Sequence, residues 1–231
     1  ITMYGVLVLI LQNCLVSKIA RYKLLAARIQ QLFDCSLFQL NWNKALCGEK
    51  PQPEDISRNL GKVDIDNLYD WYSLEINPLN QEKSTLVCMR SNVYYDYRIR
   101  QLYTNCMVFL IGLIMLLLLV IFGIQNTNLW DIVTMGIVPL LPAAKWLYDV
   151  HRQNTTNLKS LANIKSLLNS ALDKAERNEP VALSDLEQIQ NFIFIHRKTS
   201  FMIPSWVYNL LRKQSEMDMN YSVNHIVQDI L

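Results

Sequence analysis

One stretch of the 231-residue chain is apolar without interruption. Cys106–Ile124 is a run of 19 residues that contains neither a charged side chain nor a proline. A helix of about 20 apolar residues, rising about 1.5 Å per residue, spans the roughly 30 Å hydrocarbon core of a bilayer. A soluble helix is seldom apolar on every face, because one of its faces meets water. The run therefore predicts a transmembrane helix at 106–124.

A second, weaker apolar stretch follows at 129–148. Trp130 and Trp146 lie near its ends, where interfacial tryptophans are common. Pro139 and Pro142 predict a kink, because proline has no N–H to donate to the helix. The short polar link before this stretch favours a helix that crosses back through the membrane. A re-entrant or buried soluble hairpin helix is the alternative.

A third apolar stretch, 1–16, is short and contains Gln12 and Asn13. We interpret it as part of a transmembrane helix that begins upstream of Ile1. A cleaved signal peptide is the alternative, but the stretch lacks a basic region before it and a small-x-small cleavage motif after it.

The basic residues give these stretches an orientation. Of the 22 Lys and Arg residues, 12 lie in 17–105 and 10 lie in 145–231, which leaves none in 1–16 or 106–144. Cytoplasmic loops carry the excess of Lys and Arg, so both basic segments are expected on the cytoplasmic side. We therefore expect a multi-pass membrane protein with most of its polar mass in the cytoplasm. An upstream span would bring the number of spans to four.

The polar segments 17–105 and 149–231 show helical rather than strand periodicity. The fold class predicted is all-α, a polytopic membrane protein whose transmembrane helices continue into a helical cytoplasmic region. Breakers between residues 35 and 61 predict a loop there. The helices predicted on the cytoplasmic side are 18–34, 67–74, 82–101, 158–175, 184–198 and one that opens at Pro204.

Two of these helices are amphipathic, and one continues the central span. The helix at 82–101 runs directly into 106–124. The helix at 158–175 has a stripe of six apolar positions: Leu158, Leu161, Ile164, Leu168, Leu172 and Ala175. The final helix is predicted to be amphipathic through Trp206, Leu210, Ile226 and Ile230.

Composition and motifs exclude several classes of protein. A net charge of +2 excludes a chain-wide basic binder, so no DNA or RNA polymer is expected as a partner. The six glycines are isolated and cannot form a phosphate loop. The three histidines, His151, His196 and His225, lack metal-ligand spacing, and no CxxC pair occurs. We therefore expect neither an enzyme nor a bound metal or cofactor.

One face of the helix at 82–101 could bind a nucleotide. Arg90, Tyr94 and Arg98 recur at i,i+4 spacing and so lie on one face. Two guanidiniums suit phosphates and a ring suits base stacking. Trp42, Trp71 and Tyr72 could add stacking walls. From the residues alone the structural interpretation is favoured, in which the rings are core or interfacial anchors and the arginines are juxtamembrane charges.

Three short motifs occur in a characteristic order. Trp42-Asn43 is followed by Asp70-Trp71-Tyr72 and then by C-x-R-x-N-x-x-x-D at Cys88–Asp96, before a hydrophobic hairpin. In this order the chain resembles the SMODS-associated four-transmembrane pore-forming effectors of bacteria. The resemblance covers most of the chain, roughly from Ala26 onward.

The resemblance implies an antiviral effector whose cytoplasmic part binds a cyclic oligonucleotide. The spans would then oligomerise and permeabilise the inner membrane, so the implied partners are the bilayer, the nucleotide and further copies of the chain. The candidate ligand-binding residues are Arg90, Asn92, Tyr94, Arg98, Trp42, Trp71 and Tyr72. The alternatives are a non-conducting membrane-anchored scaffold or regulatory subunit, and a membrane enzyme with an unrecognised site.

Overall fold

The computed structural model describes residues 2–59, 72–125, 128, 130 and 132–231, and all of its regular secondary structure is helical. A 3-10 turn at Leu74–Ile76 and a π-helical segment at Ile132–Ile137 accompany seven α-helices. These are α1 (Thr2–Leu37), α2 (Lys44–Cys47), α3 (Pro53–Asn59), α4 (Gln81–Gln125), α5 (Val138–Glu176), α6 (Leu183–Thr199) and α7 (Ser205–Ile230). The all-α prediction is confirmed for these residues.

The long helices follow the predicted pattern. Helix α4 is a single helix of 45 residues, so the predicted cytoplasmic helix does continue into the apolar run. Helix α5 likewise extends from the second apolar stretch into the amphipathic segment and contains Pro142 within it. Helix α6 begins one residue before the predicted start at Ser184.

The predicted loop at 35–61 is wrong in part, because it contains two short helices. In α2 the side-chain Oδ1 of Asn43 accepts a hydrogen bond from the amide of Leu46 at 3.1 Å, which caps the helix. Helix α3 opens at Pro53 and carries Glu54 and Asp55 in its first turn, which suits the helix dipole. Helices of four and seven residues are too short to show apolar periodicity, so the sequence pattern did not indicate them. The helix predicted at 67–74 lies mostly outside the described residues.

The chain divides into two compact units. The first unit contains residues 1–90, 166–199 and 223–231, and the second contains 91–165 and 200–222.

A buried polar network joins α1 to α6 in the first unit. One carboxylate oxygen of Asp34 accepts from Arg197 at 2.6 Å and from the side-chain amide of Gln190 at 2.9 Å. Gln190 also donates to the side-chain oxygen of Gln31 at 2.8 Å. The Asp34 side chain is 4% exposed, so its charge depends on these donors rather than on water.

A second network in the second unit is centred on Arg100 of α4. Its Nη1 donates to the backbone oxygen of Phe201 at 2.9 Å and to Oδ1 of Asn154 at 3.3 Å. Asn154 in turn donates to the backbone oxygen of Arg100 at 2.9 Å and to the hydroxyl of Thr104 at 2.6 Å. Arg100 therefore connects α4, α5 and the residues that precede α7.

Most of the apolar run of α4 is left uncovered by the part of the chain that the structure describes. Within the described residues, α4 is the one helix long and apolar enough to cross a membrane. Only 6% of its most apolar 18-residue stretch is buried. Phe109 is 73% exposed and Ile124 is 79% exposed. An exposed apolar surface of this extent marks a contact with a membrane or with another protein.

The apolar stripe of α5 is buried at five of its six positions and half-buried at Leu158, whereas the stripe predicted for α7 is only partly buried. Ile230 is buried, but Trp206 is 68% exposed and Leu210 is 73% exposed. The side chains of α7 that are buried instead include Val207 and Val223. In the first half of α7 the periodicity thus marks an apolar face without showing what covers it.

We predict that Leu161→Asp will strongly destabilise the protein. Leu161 is 2% exposed, and an unpaired carboxylate at this position adds the cost of a buried charge to that of the lost side chain, about 3 kcal/mol or more together. Leu167 lies on the same helix and is 41% exposed, so Leu167→Asp is the matched control. Thermal unfolding in detergent measures both variants; equal midpoints would show that the stripe is not a packing surface.

We also predict that Asp34→Ala will destabilise the fold by about 3 kcal/mol, because it leaves the largely buried guanidinium of Arg197 without its carboxylate partner. Replacing Arg197 by Met in the same variant should recover part of this loss. Lys44–Glu49 is an exposed ion pair with side chains 72% and 76% exposed, so Glu49→Ala should cost less than about 1 kcal/mol. Denaturant unfolding that ranks Glu49→Ala equal to Asp34→Ala would contradict the role of the network.

Candidate ligand-binding site

Helix α4 carries the predicted Arg90, Tyr94 and Arg98 at the expected spacing. Arg98 is exposed, whereas Arg90 and Tyr94 are half-buried. Asn92 is also half-buried, and it lies about 200° around the helix from Arg90 because each residue turns the helix by about 100°.

The ring of Tyr94 already has a cationic neighbour. The ammonium of Lys165 on α5 lies 4.0 Å from the Tyr94 ring centre and 4.6 Å from that of Tyr97. This is a cation–π arrangement within the second unit. A base that stacked on this face of Tyr94 would have to displace Lys165. Lys165 itself adds a positive charge that could meet a phosphate.

Trp42 is part of the packing of the first unit. Its Nε1 donates to the backbone oxygen of Gly48 at 2.8 Å. Its ring packs against a buried cluster of Ala27, Cys47 and Phe194. The loop needs glycine at 48, where φ is +74° and a β-carbon would meet the Arg28 guanidinium.

The two remaining aromatic candidates, Trp71 and Tyr72, are adjacent in the sequence. The Tyr72 ring is 5.9 Å from that of Phe38 and tilted by 53°. Asp70 and Trp71 lie outside the described residues. Of the predicted set, Arg90, Trp42 and Tyr72 belong to the first unit, whereas Asn92, Tyr94 and Arg98 belong to the second. The binding role of these residues stays a prediction.

The second unit contains a cavity of about 350 Å³ that the sequence did not indicate. This volume is within the range of small-molecule sites. Edge-to-face rings of Tyr95 and Tyr208, with centres 5.9 Å apart, form part of its wall. The cavity is lined by Tyr95, Asp96, Ile99, Arg100, Ser200, Phe201, Met202, Ile203, Ser205 and Tyr208.

The charges in this cavity balance each other. Nε of Arg100 lies 3.0 Å from a carboxylate oxygen of Asp96, and the Arg100 side chain is 6% exposed. An anionic ligand would have to compete with Asp96 for the guanidinium. The cavity therefore offers aromatic surface and a compensated cation, which suits the base of a nucleotide better than its phosphate.

A cavity of about 330 Å³ in the first unit is less suited to an anion. Glu82 and Glu179 both line it. The ammonium of Lys83, which also lines it, donates to the backbone oxygen of Ile230 at 2.6 Å and to Oδ1 of Asn178 at 3.3 Å.

The buried cysteines of the first unit are poor nucleophiles. Burial, with a smaller contribution from the Asp34 carboxylate, raises the pKa of Cys35 to about 11 and that of Cys88 to about 12. Burial also raises the pKa of Cys47. The thiolate is the reactive form, so these thiols are unreactive near neutral pH. Across the described part of the chain, no group of three His, Cys, Asp or Glu side chains is placed to hold a metal ion.

Sequence reasoning missed Lys165, Tyr208 and the role of Arg100. The pair Asp96–Arg100 is visible at i,i+4 spacing, but the partners that bury Arg100 are not. Lys165 reaches Tyr94 only because α5 packs beside α4, and no local pattern connects the two residues.

Comparison with known proteins identifies the family. The chain is 26% identical over 204 residues to a protein of Bacillus cereus strain VD146 named as a probable CBASS effector molecule; the match covers 86% of this chain and 67% of that protein. No solved structure matches the chain. The family model of the SMODS-associating 4TM effector domain matches residues 1–226. The chain therefore belongs to the SMODS-associating 4TM effector domain family.

Proposed function

We propose that this protein is a membrane effector of antiphage defence that permeabilises the bacterial inner membrane when a cyclic oligonucleotide binds its cytoplasmic part. The observation that carries the proposal is the uncovered apolar run, Cys106–Ile124, within a helix that begins at Gln81. Membership of an effector family and the likeness to a probable CBASS effector molecule support it. The outcome for an infected cell would be abortive defence.

Helix α4 could carry a signal from ligand to membrane. Its 45 residues extend about 66 Å at about 1.5 Å per residue, and they include both Arg98 and the apolar run. A ligand shifts a closed state to an open one only by binding the open state more tightly. A ligand that binds α4 near Arg98 with different affinities in the closed and open states would act directly on the helix proposed to span the bilayer.

Homo-oligomerisation would complete a pore, because a single uncovered helix cannot enclose an aqueous path. The exposed side chains of the run, which include Phe109 and Leu116, are apolar. Such a surface packs against lipid or against equivalent helices. We therefore propose that activation changes the packing of the spans between subunits.

Liposome leakage tests the proposed activity. Purified protein in dye-loaded vesicles should release dye on addition of the activating member of a panel of cyclic di- and trinucleotides, and linear nucleotides should not cause release. A correctly inserted protein that binds a cyclic nucleotide without release would instead support the non-conducting scaffold.

The charge asymmetry predicts the topology. In a background with Cys14 and Cys106 replaced by Ser, Asn126→Cys should react with an impermeant maleimide in spheroplasts, and Lys159→Cys should react only after permeabilisation. The other three cysteines are buried and can stay. Labelling at Lys159 in intact spheroplasts would overturn the proposed orientation.

Arg90→Ala and Arg98→Ala should each weaken ligand binding about tenfold or more. A charge-assisted contact to a phosphate is worth about 1.5–3 kcal/mol, and about 1.4 kcal/mol is a factor of ten in affinity. Arg152, an exposed arginine of α5, provides the matched control Arg152→Ala. Calorimetry measures the affinities, and lysine should rescue poorly if the contact is bidentate.

The opposite pattern would move the site elsewhere. If both alanine variants bind as wild type and Arg98→Lys is harmless, the arginines serve topology and lipid headgroups only. The ligand would then be sought in the cavity beside Arg100 or among the helices of 184–231.

A further inference from the structure

The connection between α6 and α7, together with the first two residues of α7, is unusually apolar. Residues 201–206 read Phe-Met-Ile-Pro-Ser-Trp, and we call them the 201–206 segment. Connections between helices run over the protein surface and are rich in polar and turn-forming residues. An apolar connection therefore needs either a protein core or a non-aqueous surface to cover it.

The inner side of this segment packs against the base of the apolar run. Val207, which follows it, belongs to a buried cluster with Tyr103, Met107 and Val150. Phe201 and Ile203 pack against the same cluster. The rings of Tyr103 and Phe201 stack with centres 6.2 Å apart and an interplanar angle of 20°.

This packing fixes the depth of the segment relative to a membrane. Met107 is the second residue of the apolar run, and Tyr103 lies three residues before the run, or about 4.5 Å along the helix. The headgroup region of one leaflet is about 5–8 Å thick, given a total of about 40–45 Å around a core of about 30 Å. In a bilayer spanned by the apolar run, the 201–206 segment would therefore lie at the level of the headgroups.

The outer side of the segment is exposed. Met202 is 61% exposed, Trp206 is 68% exposed and Leu210, one turn beyond Trp206, is 73% exposed. The hydrogen bond from Arg100 to the backbone oxygen of Phe201 holds the backbone at the start of the segment. Most of the surface of these three side chains is exposed, although Met202 also lines the cavity beside Arg100.

Helix α5 presents aromatic residues at the same level. Trp146 is 60% exposed and Tyr148 is 62% exposed. Leu147, between them, packs against the same cluster as Phe201. Exposed Trp and Tyr side chains at one level are typical of the membrane–water interface, where the ring is apolar and its N–H or O–H stays hydrated.

We propose that the 201–206 segment and the first two turns of α7 form an interfacial anchor that inserts into the cytoplasmic leaflet. Met202, Trp206 and Leu210 would lie at the boundary between headgroups and acyl chains, about 5–10 Å deep. The occupant of this face is thus the lipid of the membrane that α4 enters. The proposal rests on insertion of α4 and on the proposed orientation, but not on nucleotide gating.

Three methionines provide a matched test of depth. Met115 is 56% exposed and lies at the middle of the run, Met202 is 61% exposed in the segment, and Met217 is 52% exposed farther along α7. Each is replaced singly by Cys in the full chain lacking Cys14 and Cys106, and is labelled with the fluorophore NBD. The proteins are reconstituted in phosphatidylethanolamine–phosphatidylglycerol vesicles that carry nitroxide lipids at two depths.

The expected result is a ladder of depths. The label at Met115 should lie near the bilayer centre, about 13 Å from the start of the run. The label at Met202 should lie at the boundary between headgroups and acyl chains. The label at Met217 should be quenched by aqueous iodide and not by the lipids. Trp206→Glu should move the Met202 label outward into water and leave the Met115 label in place.

The contrary results are distinct from one another. If the Met115 label is buried in lipid but the Met202 label is quenched only by iodide, α4 inserts and the proposed anchor is wrong. If the labels at Met202 and Met217 are shielded from both lipid nitroxides and iodide, a second copy of the chain covers the face, which also overturns the proposal. If the Met115 label is not in lipid, the insertion on which the proposed function depends has failed.

Discussion

The buried guanidinium of Arg100 is the interaction on which the second unit depends. It lies on α4 about one and a half turns before the apolar run and binds Asn154 of α5 and the backbone of Phe201. Three segments distant in sequence are thus held together just before the apolar run of α4. A buried cation is costly unless it is fully bonded, so any arrangement of these segments that breaks the contacts is strongly disfavoured.

In the first unit, the buried charge at the centre of the polar network is an anion. Asp34 is buried in α1 and is satisfied by Arg197 and Gln190 of α6. Apolar packing tolerates small shifts between helices, whereas a buried hydrogen-bonded charge accepts few geometries. In the described residues, each unit therefore combines an apolar core with a polar network that fixes the relative positions of its helices.

The sequence predicted what depends on local pattern. The apolar run, the continuity of α4, the start of α6 and the buried stripe of α5 all follow from periodicity and end signals within a single helix. The networks do not, because Arg100 and Phe201 are 101 residues apart and Asp34 and Arg197 are 163 residues apart. Trp206 and Leu210 show the same limit. Periodicity identifies them as apolar, but only the packing of Val207 shows that they face outward.

The candidate binding surfaces lie close to the proposed membrane contact. Phe201, Met202 and Ile203 both line the cavity beside Arg100 and belong to the 201–206 segment. A ligand in this cavity and lipid at the outer face of the segment would touch the same few residues, so each would alter the affinity for the other. Binding on the exposed face of α4 at Arg98 would act about 12 Å from the apolar run, along a continuous helix. In either location, the free energy of ligand binding would be exerted on α4, the helix that carries the apolar run, rather than relayed through a flexible linker.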